Sequence, residues 1–230
     1  MWAIVMLSLA LTVLLARYKS SGERFFDFLG MRLLYLFARL WHRLSWQGAE
    51  RVPVSGPVLV VSNHTCSADP LFLVASSFRP YSFLIAAEFF RLPLARHLFR
   101  YLRCVPVNRR DCDVLSVRRA LRLLAEGRGV CIFPEAGLRN AGRKVVRNGK
   151  AGAALIALRS RACVIPAAVV GGPQTPHLLE AWLGPSRAHV TFGSPLDLAP
   201  YYGQPVRRPL LERVNRYIMD AIMQLENQGR

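Results

Sequence analysis

The sequence predicts an α/β fold with a mostly parallel central sheet flanked by helices, preceded by N-terminal membrane-associated helices. Short apolar runs rich in β-branched residues alternate with segments of helical periodicity from residue 57 onward. Runs such as 57–62 are apolar throughout, as expected for strands that a parallel sheet buries on both faces. Two apolar segments precede the first of these runs, within residues 1–46.

The predicted strands and helices follow one another along the chain. We expect strands at 57–62, 82–87, 104–107, 129–133, 162–170 and 188–192. We expect helices at 70–78, 113–126, 149–159 and 211–225; Asp113 can cap the second of them and Gly127 can end it. The last helix carries one apolar face, formed by Leu211, Val214, Ile218, Ile222 and Leu225. Sites in such folds lie outside the carboxyl ends of the strands.

Residues 1–16 form an uncharged apolar run, close to the minimum of roughly 17 residues that can span a bilayer. A signal peptide would carry basic residues before the run, whereas Arg17, Lys19 and Arg24 follow it. The positive-inside tendency then places the rest of the chain on the cytoplasmic face of a membrane.

The next segment, 24–46, combines helical spacing of large apolar residues with interleaved arginines. The apolar set is Phe25, Phe28, Leu29, Leu33, Leu36, Phe37, Leu40 and Leu44. This pattern favours a helix that lies in the membrane interface. The alternative is an amphipathic helix packed on the core of the domain. We therefore predict a membrane anchor with an interfacial helix at 1–46 and one compact domain at 47–230.

Composition indicates an anionic partner. The chain holds 31 Lys and Arg against 14 Asp and Glu, a formal net charge of +17, and 52% of its residues are hydrophobic. Membrane lipids are the expected partner, and a basic nucleic-acid-binding protein is the alternative from a different class. No nucleic acid is expected, because no basic recognition helix or stacking sheet stands out.

Cysteine and histidine usage argues against metal sites and disulfides. The five cysteines are odd in number and none are paired as C-x-x-C, and the histidines lack metal-ligand spacing. We expect reduced thiols, no metal and no cofactor.

The segment from Ser62 to Pro70 (SNHTCSADP) carries the clearest chemistry. A buried strand leads to His64, and Asp69 and Pro70 open the next helix. If a turn brings His64 to Asp69, the carboxylate fixes the imidazole tautomer and leaves the other ring nitrogen free as a base. The simpler role for Asp69 is a helix cap. The thiol of Cys66, within the same loop, is an alternative candidate for a nucleophile.

Four segments together resemble the glycerolphosphate and lysophosphatidate acyltransferase family. Asn63, His64 and Asp69 match its N-H-x-x-x-x-D signature, and the lead-in Gly48 to Val58 is similar as well. Its second, third and fourth blocks are similar to 105–109 (VPVNR), 133–139 (FPEAGLR) and 164–167 (VIPA). The resemblance covers roughly residues 48–196.

The resemblance implies an O-acyltransferase of the 1-acylglycerol-3-phosphate type. Such an enzyme transfers a fatty acyl group from acyl-CoA or acyl carrier protein to the free hydroxyl of lysophosphatidate, making phosphatidate. His64 and Asp69 would be the catalytic pair. The resemblance thus implies a membrane enzyme of phospholipid biosynthesis, and we expect its catalytic domain on the cytoplasmic face.

The resemblance also implies substrate-binding roles for Asn63, Arg109, Glu135, Gly137 and Arg139. An arginine can bind the acceptor phosphate by bidentate hydrogen bonds. The third block departs from the family pattern, because Ala136 stands where glycine is common and Arg139 falls one residue late. The alternative acceptors are a lyso-ornithine lipid or another lysophospholipid. A basic run, Arg143, Lys144, Arg147 and Lys150, follows this block and could bind lipid headgroups or coenzyme A phosphates.

Overall fold

A computed structural model describes residues 25–77, 79–91, 96, 99–100, 103–108, 113–135, 137, 149–175 and 177–229. Seven strands lie in this part of the chain: β1 Ser45–Gln47, β2 Val58–Ser62, β3 Tyr81–Ala86, β4 Val105–Val107, β5 Gly129–Ile132, β6 Cys163–Val170 and β7 His189–Phe192. The α-helices described there are α1 Phe25–Trp41, α2 Asp69–Ser77, α3 Val114–Ala125, α4 Gly152–Ser160, α5 Leu178–Leu183 and α6 Arg208–Gln228.

The strands form one sheet in the order β1-β7-β6-β2-β5-β3-β4. Every pairing is parallel except that of β6 with β7, which is antiparallel. The predicted α/β fold with a mostly parallel, helix-flanked sheet is therefore confirmed. Strand β2 lies at the centre between β5 and β6, so its carboxyl end opens in the middle of one sheet edge.

Helices cover both faces of the sheet, and alternate residues of β2 enter two separate cores. Val58 and Val60 join the core that α1 and α2 cover. Leu59 and Val61 join the core that α3, α4 and α6 cover. All four side chains are fully buried, which explains why β2 is apolar at successive positions rather than at alternate ones.

The start and the end of α3 and the buried face of α6 agree with the prediction from the sequence. The Asp113 carboxylate caps α3 by accepting a hydrogen bond from the Ser116 backbone N–H at 3.0 Å. Gly127, just beyond α3, has a positive φ of 75°. Helix α6 buries its predicted apolar face, with Val214, Ile218 and Ile222 inaccessible to solvent.

The predicted helix at 24–46 is too long at its carboxyl end. Helix α1 stops at Trp41, and Arg43 takes a positive φ of 46°. The chain then enters β1, which pairs with β7 through Trp46 and Val190. Leu44, which we placed on the apolar stripe of the helix, is instead fully buried in the core beneath the sheet. The helix ends early because the backbone of β1 pairs with β7 at the edge of the sheet. Helical periodicity in the sequence could not indicate this pairing.

Of the two predicted N-terminal helices, the described residues contain the second, as α1. Among the described residues, no helix combines the length and the apolar character that crossing a bilayer requires. The apolar run at 1–16 lies outside those residues, so its role stays a prediction. Helix α1 packs one side on the core through Ala38, Leu34 and Phe37, while Leu33, Leu36 and Leu40 are exposed on its surface.

Candidate active site

The site begins at the carboxyl end of β2, where Asn63 fixes the backbone. Its side-chain Nδ2 donates to the Val169 carbonyl at 2.8 Å, and its Oδ1 accepts from the Val169 backbone N–H at 2.7 Å. The amide thus pairs with β6 as a peptide group would, and it continues the β2–β6 ladder by one step. Asn63 is 0% exposed.

These contacts and this burial bear on the substrate-binding role that we predicted for Asn63. Both polar ends of its amide are occupied by the β6 backbone, and its side chain has no surface that a substrate could reach. The geometry instead favours a positioning role, since the next residue along the chain is His64. A motif pattern marks such a residue without saying which way its side chain points.

His64 and Asp69 are in contact, as the predicted turn requires. His64 Nδ1 lies 3.0 Å from Asp69 Oδ2. An ionised carboxylate only accepts hydrogen bonds, so Nδ1 carries the proton and Nε2 keeps its lone pair. The His64 side chain is 14% exposed, whereas Asp69 is 0% exposed. The arrangement can hold a neutral imidazole with one basic nitrogen at the sheet edge.

The Asp69 carboxylate also accepts hydrogen bonds from the loop that precedes it. Its Oδ2 also accepts from the backbone N–H groups of Thr65 at 2.6 Å and Cys66 at 2.9 Å. Its Oδ1 accepts from the Thr65 hydroxyl at 3.0 Å and the Cys66 thiol at 3.3 Å. Among the described residues, the donors to this carboxylate are His64, Thr65 and Cys66. The carboxylate therefore holds the loop before α2, the helix that begins at Asp69 itself.

Phe133 forms a wall behind the imidazole. Its ring is stacked on His64 with centroids 4.1 Å apart and planes inclined by 12°. Phe83 continues the stack, with its centroid 6.2 Å from that of Phe133. Phe133 directly follows β5, the strand next to β2. Phe133 belongs to the third block, but the sequence indicated no role for it. Its contact with His64 depends on β5 lying next to β2, and the motif does not reveal that strand order.

Cys66 is not placed to act as a nucleophile. Its thiol is fully buried and donates to Asp69. Burial, and then the charge of Asp69, raise the pKa of the Cys66 thiol far above its usual range. The thiolate that nucleophilic chemistry needs is therefore disfavoured at neutral pH.

The second and third blocks end at the same edge of the sheet. The Asn108 backbone N–H donates to the Asp113 carboxylate at 2.8 Å, which joins the loop after β4 to the start of α3. After β5, Pro134 is buried and its carbonyl accepts from the Lys150 backbone N–H at 2.8 Å. This hydrogen bond thus joins the two ends of the loop that carries the third block.

The other predicted substrate-binding residues divide into two groups. Glu135 and Gly137 follow β5, the strand next to the one that leads to His64, and both residues are partly buried. Arg109, Arg139 and the basic residues Arg143, Lys144 and Arg147 lie outside the described residues. Their roles stay predictions. Among the described residues, no group of three or more His, Cys, Asp or Glu could hold a metal ion.

Comparison with known proteins places this geometry in a family. The family model described as Acyltransferase matches residues 43–170, which is more than half of the chain. The chain belongs to the acyltransferase family. The matched region begins just before β1 and ends at the last residue of β6, so it contains the His64–Asp69 loop and all four blocks.

Two curated relatives of this acyltransferase carry more specific names. A 1-acyl-sn-glycerol-3-phosphate acyltransferase from Borreliella burgdorferi is 29% identical over 121 residues, 52% of this chain and 48% of the relative. A probable 1-acyl-sn-glycerol-3-phosphate acyltransferase from Mycoplasma pneumoniae is 28% identical over 129 residues, 53% of this chain and 47% of the relative. The chain spans about half the length of the curated relatives it matches.

A solved structure shares the fold of this acyltransferase. The 1-acyl-sn-glycerophosphate acyltransferase PlsC from Thermotoga maritima aligns with a TM-score of 0.63 at 21% identity. The alignment covers 94% of this chain and 89% of the other. At this identity the likeness establishes the fold alone.

Proposed function

We propose that this chain transfers a fatty acyl group from an acyl thioester to the free hydroxyl of lysophosphatidate, making phosphatidate. One observation carries the proposal: His64 Nδ1 lies 3.0 Å from the buried Asp69 carboxylate at the carboxyl edge of a parallel sheet. An alcohol is a poor nucleophile, and a positioned imidazole with one unprotonated nitrogen is the group that can activate it.

The chemistry follows from that arrangement. His64 Nε2 takes the proton of the acceptor hydroxyl as its oxygen bonds to the thioester carbon. Asp69 stabilises the imidazolium that forms. The tetrahedral intermediate collapses, the carbon–sulfur bond breaks, and the leaving thiolate takes the proton back from His64. No acyl group is attached to the enzyme, which agrees with the buried and protonated Cys66 thiol.

The acceptor is the finer part of the proposal. The names of the Borreliella burgdorferi and Mycoplasma pneumoniae relatives support a 1-acylglycerol phosphate as acceptor. We propose that Arg109 and Arg139 bind its phosphate, and that Glu135 and Gly137 shape the loop around it. The donor is acyl-CoA or acyl carrier protein.

We further propose that the enzyme works at a membrane, with residues 1–16 as the anchor, the exposed side of α1 in the membrane interface and the catalytic domain on the cytoplasmic face. The exposed leucines of α1, Leu33, Leu36 and Leu40, support this proposal because they lie opposite the side that packs on the core. The net charge of +17 suits an anionic lipid surface.

The test is acyl transfer by the full chain from labelled oleoyl-CoA or oleoyl-acyl carrier protein. The acceptors are lysophosphatidate, lysophosphatidylcholine and a lyso-ornithine lipid, each in mixed micelles. We expect phosphatidate as the main product, at a rate that His64→Ala removes and His177→Ala, at an exposed histidine, leaves unchanged. A clear preference for another acceptor would contradict the lysophosphatidate assignment while keeping the reaction class.

A further inference from the structure

Two helices present large apolar side chains to solvent next to one another. In α1, Leu40 is 74% exposed and Trp41 is 48% exposed; in α5, Leu179 is 72% exposed and Leu183 is 64% exposed. These four residues are called the α1–α5 surface below. Leu179 and Leu183 are four positions apart, so they share one side of α5, while Ala181 between them is buried. Helix α5 was not among the helices predicted from the sequence.

Hydrogen bonds hold the two helices in register. The Trp41 indole Nε1 donates to the Leu183 carbonyl at 2.9 Å. The fully buried His42 ring lies between the helices, with Nδ1 2.9 Å from the Ser186 hydroxyl and Nε2 3.2 Å from the Trp182 carbonyl. Burial lowers the pKa of His42, so the ring joins them as a neutral group. The α1–α5 surface is therefore one built surface rather than two separate patches.

The same surface borders the candidate active site. The connection from β6 to α5 begins against the catalytic loop, because a Cβ on Gly172 would lie 3.3 Å from the Cys66 Sγ and 3.7 Å from the Thr65 hydroxyl. On the other side, His42 contacts Phe72 of α2 edge-to-face, with ring centroids 4.9 Å apart. A partner seated on the α1–α5 surface thus lies beside the loop that carries His64.

We propose that the α1–α5 surface is a membrane contact, in which Leu179 and Leu183 of α5 enter an anionic bilayer together with the end of α1. The inference deepens the proposed function and rests on it, since a lipid acceptor must reach His64 from a bilayer. Arg39 and Arg43 flank Trp41, and Arg187 follows the loop bonded to His42; all three are exposed. Apolar side chains and a tryptophan bordered by cations fit the interface of an anionic bilayer. The one acid of α5, Glu180, accepts a hydrogen bond from the Thr175 hydroxyl at 2.7 Å.

The test measures vesicle binding and does not depend on catalysis. The full chain is mixed with vesicles of phosphatidylcholine containing phosphatidylglycerol, and the bound fraction is measured by flotation. Leu179→Gln with Leu183→Gln should bind about tenfold more weakly than the wild type, because two apolar side chains no longer enter the bilayer. Leu179→Phe with Leu183→Phe keeps an apolar surface and should bind as the wild type does. All variants are compared by thermal unfolding, which should not change at these exposed positions.

The matched control removes two exposed aliphatic side chains from another helix, Val114→Gln with Leu115→Gln in α3. It should bind as the wild type does. Equal binding by the α5 glutamine variant, or equal loss in the α3 control, would overturn the proposal. So would a wild-type dimer in sedimentation that the α5 glutamine variant dissociates, because the surface would then contact a second copy. An enzyme inactive toward lysophosphatidate but showing these binding differences would overturn only the proposed acceptor.

Discussion

At the scale of single residues, Asp69 determines the shape of the catalytic loop. Its carboxylate accepts hydrogen bonds from three consecutive residues, two through backbone N–H groups and three through side chains. A longer acid at this position would displace its oxygens from these donors, and an amide would place a donor among donors. The loop therefore explains why an acid stands five residues after the histidine.

Asn63 carries a prediction about stability. Asn63→Leu keeps the volume of the side chain but leaves the Val169 N–H and carbonyl without their partner in a buried ladder. We expect the free energy of unfolding to fall by about 2–6 kcal/mol, the sum of roughly 1–3 kcal/mol for each of the two unpaired groups. Chemical denaturation of the wild type and the variant measures this difference.

The same variant separates positioning from substrate binding. A positioning role predicts that kcat of the folded fraction falls while KM for the acceptor stays close to that of the wild type. A raised KM with unchanged stability would contradict the positioning role and restore the substrate-binding one.

Phe133 carries a prediction about rate. Phe133→Leu keeps the site apolar but removes the ring stacked on His64. We expect kcat to fall about two- to tenfold, since an aromatic stack contributes about 0.5–1.5 kcal/mol. Phe133→Tyr keeps the stack and should retain kcat, so steady-state kinetics of the pair isolates the ring. Equal rates for the leucine variant and the wild type would show that the stack has no part in catalysis.

At the scale of elements, the two edges of the sheet have different roles. The carboxyl ends of β2 and β5 hold His64 and Phe133. The amino ends are tied by Arg79, a buried arginine just before β3, which donates to the carbonyls of Pro53, Gly56 and Gly127. These carbonyls belong to the loops that lead into β2 and β5. Arg79 therefore stabilises the strands that position the site without touching it.

Arg79→Lys tests this separation. An ammonium group cannot reproduce the fork of the guanidinium, so buried carbonyls lose partners. We expect the free energy of unfolding to fall by about 2–4 kcal/mol. KM and kcat per folded molecule should stay near the wild-type values. A change in KM for either substrate at constant stability would place Arg79 in a functional role instead.

The sequence predicted elements best where local signals and tertiary structure agree. Asp113 and the apolar face of α6 are examples, because capping and helical periodicity are local properties. Three features depended on partners far along the chain. The end of α1 is set by the pairing of β1 with β7, and the direction of the Asn63 side chain is set by β6. The short α5 is held by contacts with α1 across more than a hundred residues.

At the scale of the whole molecule, apolar surface and active site share one side. The carboxyl edge of the sheet carries His64, and the α1–α5 surface borders it through the Gly172 loop. A bilayer on this surface would bring a lipid acceptor to the His64 ring without full release into water. Excess positive charge over the chain would hold an anionic membrane and the phosphates of both substrates. Charge and hydropathy support the proposed membrane partner, whereas locating the apolar surface proposed to contact it required the fold.

The central claim is that His64 acts as a base held by Asp69. The most direct measurement is the single-turnover rate of acyl transfer by purified full-length protein, comparing the wild type with His64→Ala and Asp69→Asn at matched folded concentration. We predict that each variant loses at least about a hundredfold in rate, within the roughly 10²–10⁴ that a general base contributes. A His64→Ala enzyme that keeps the wild-type rate would contradict the mechanism.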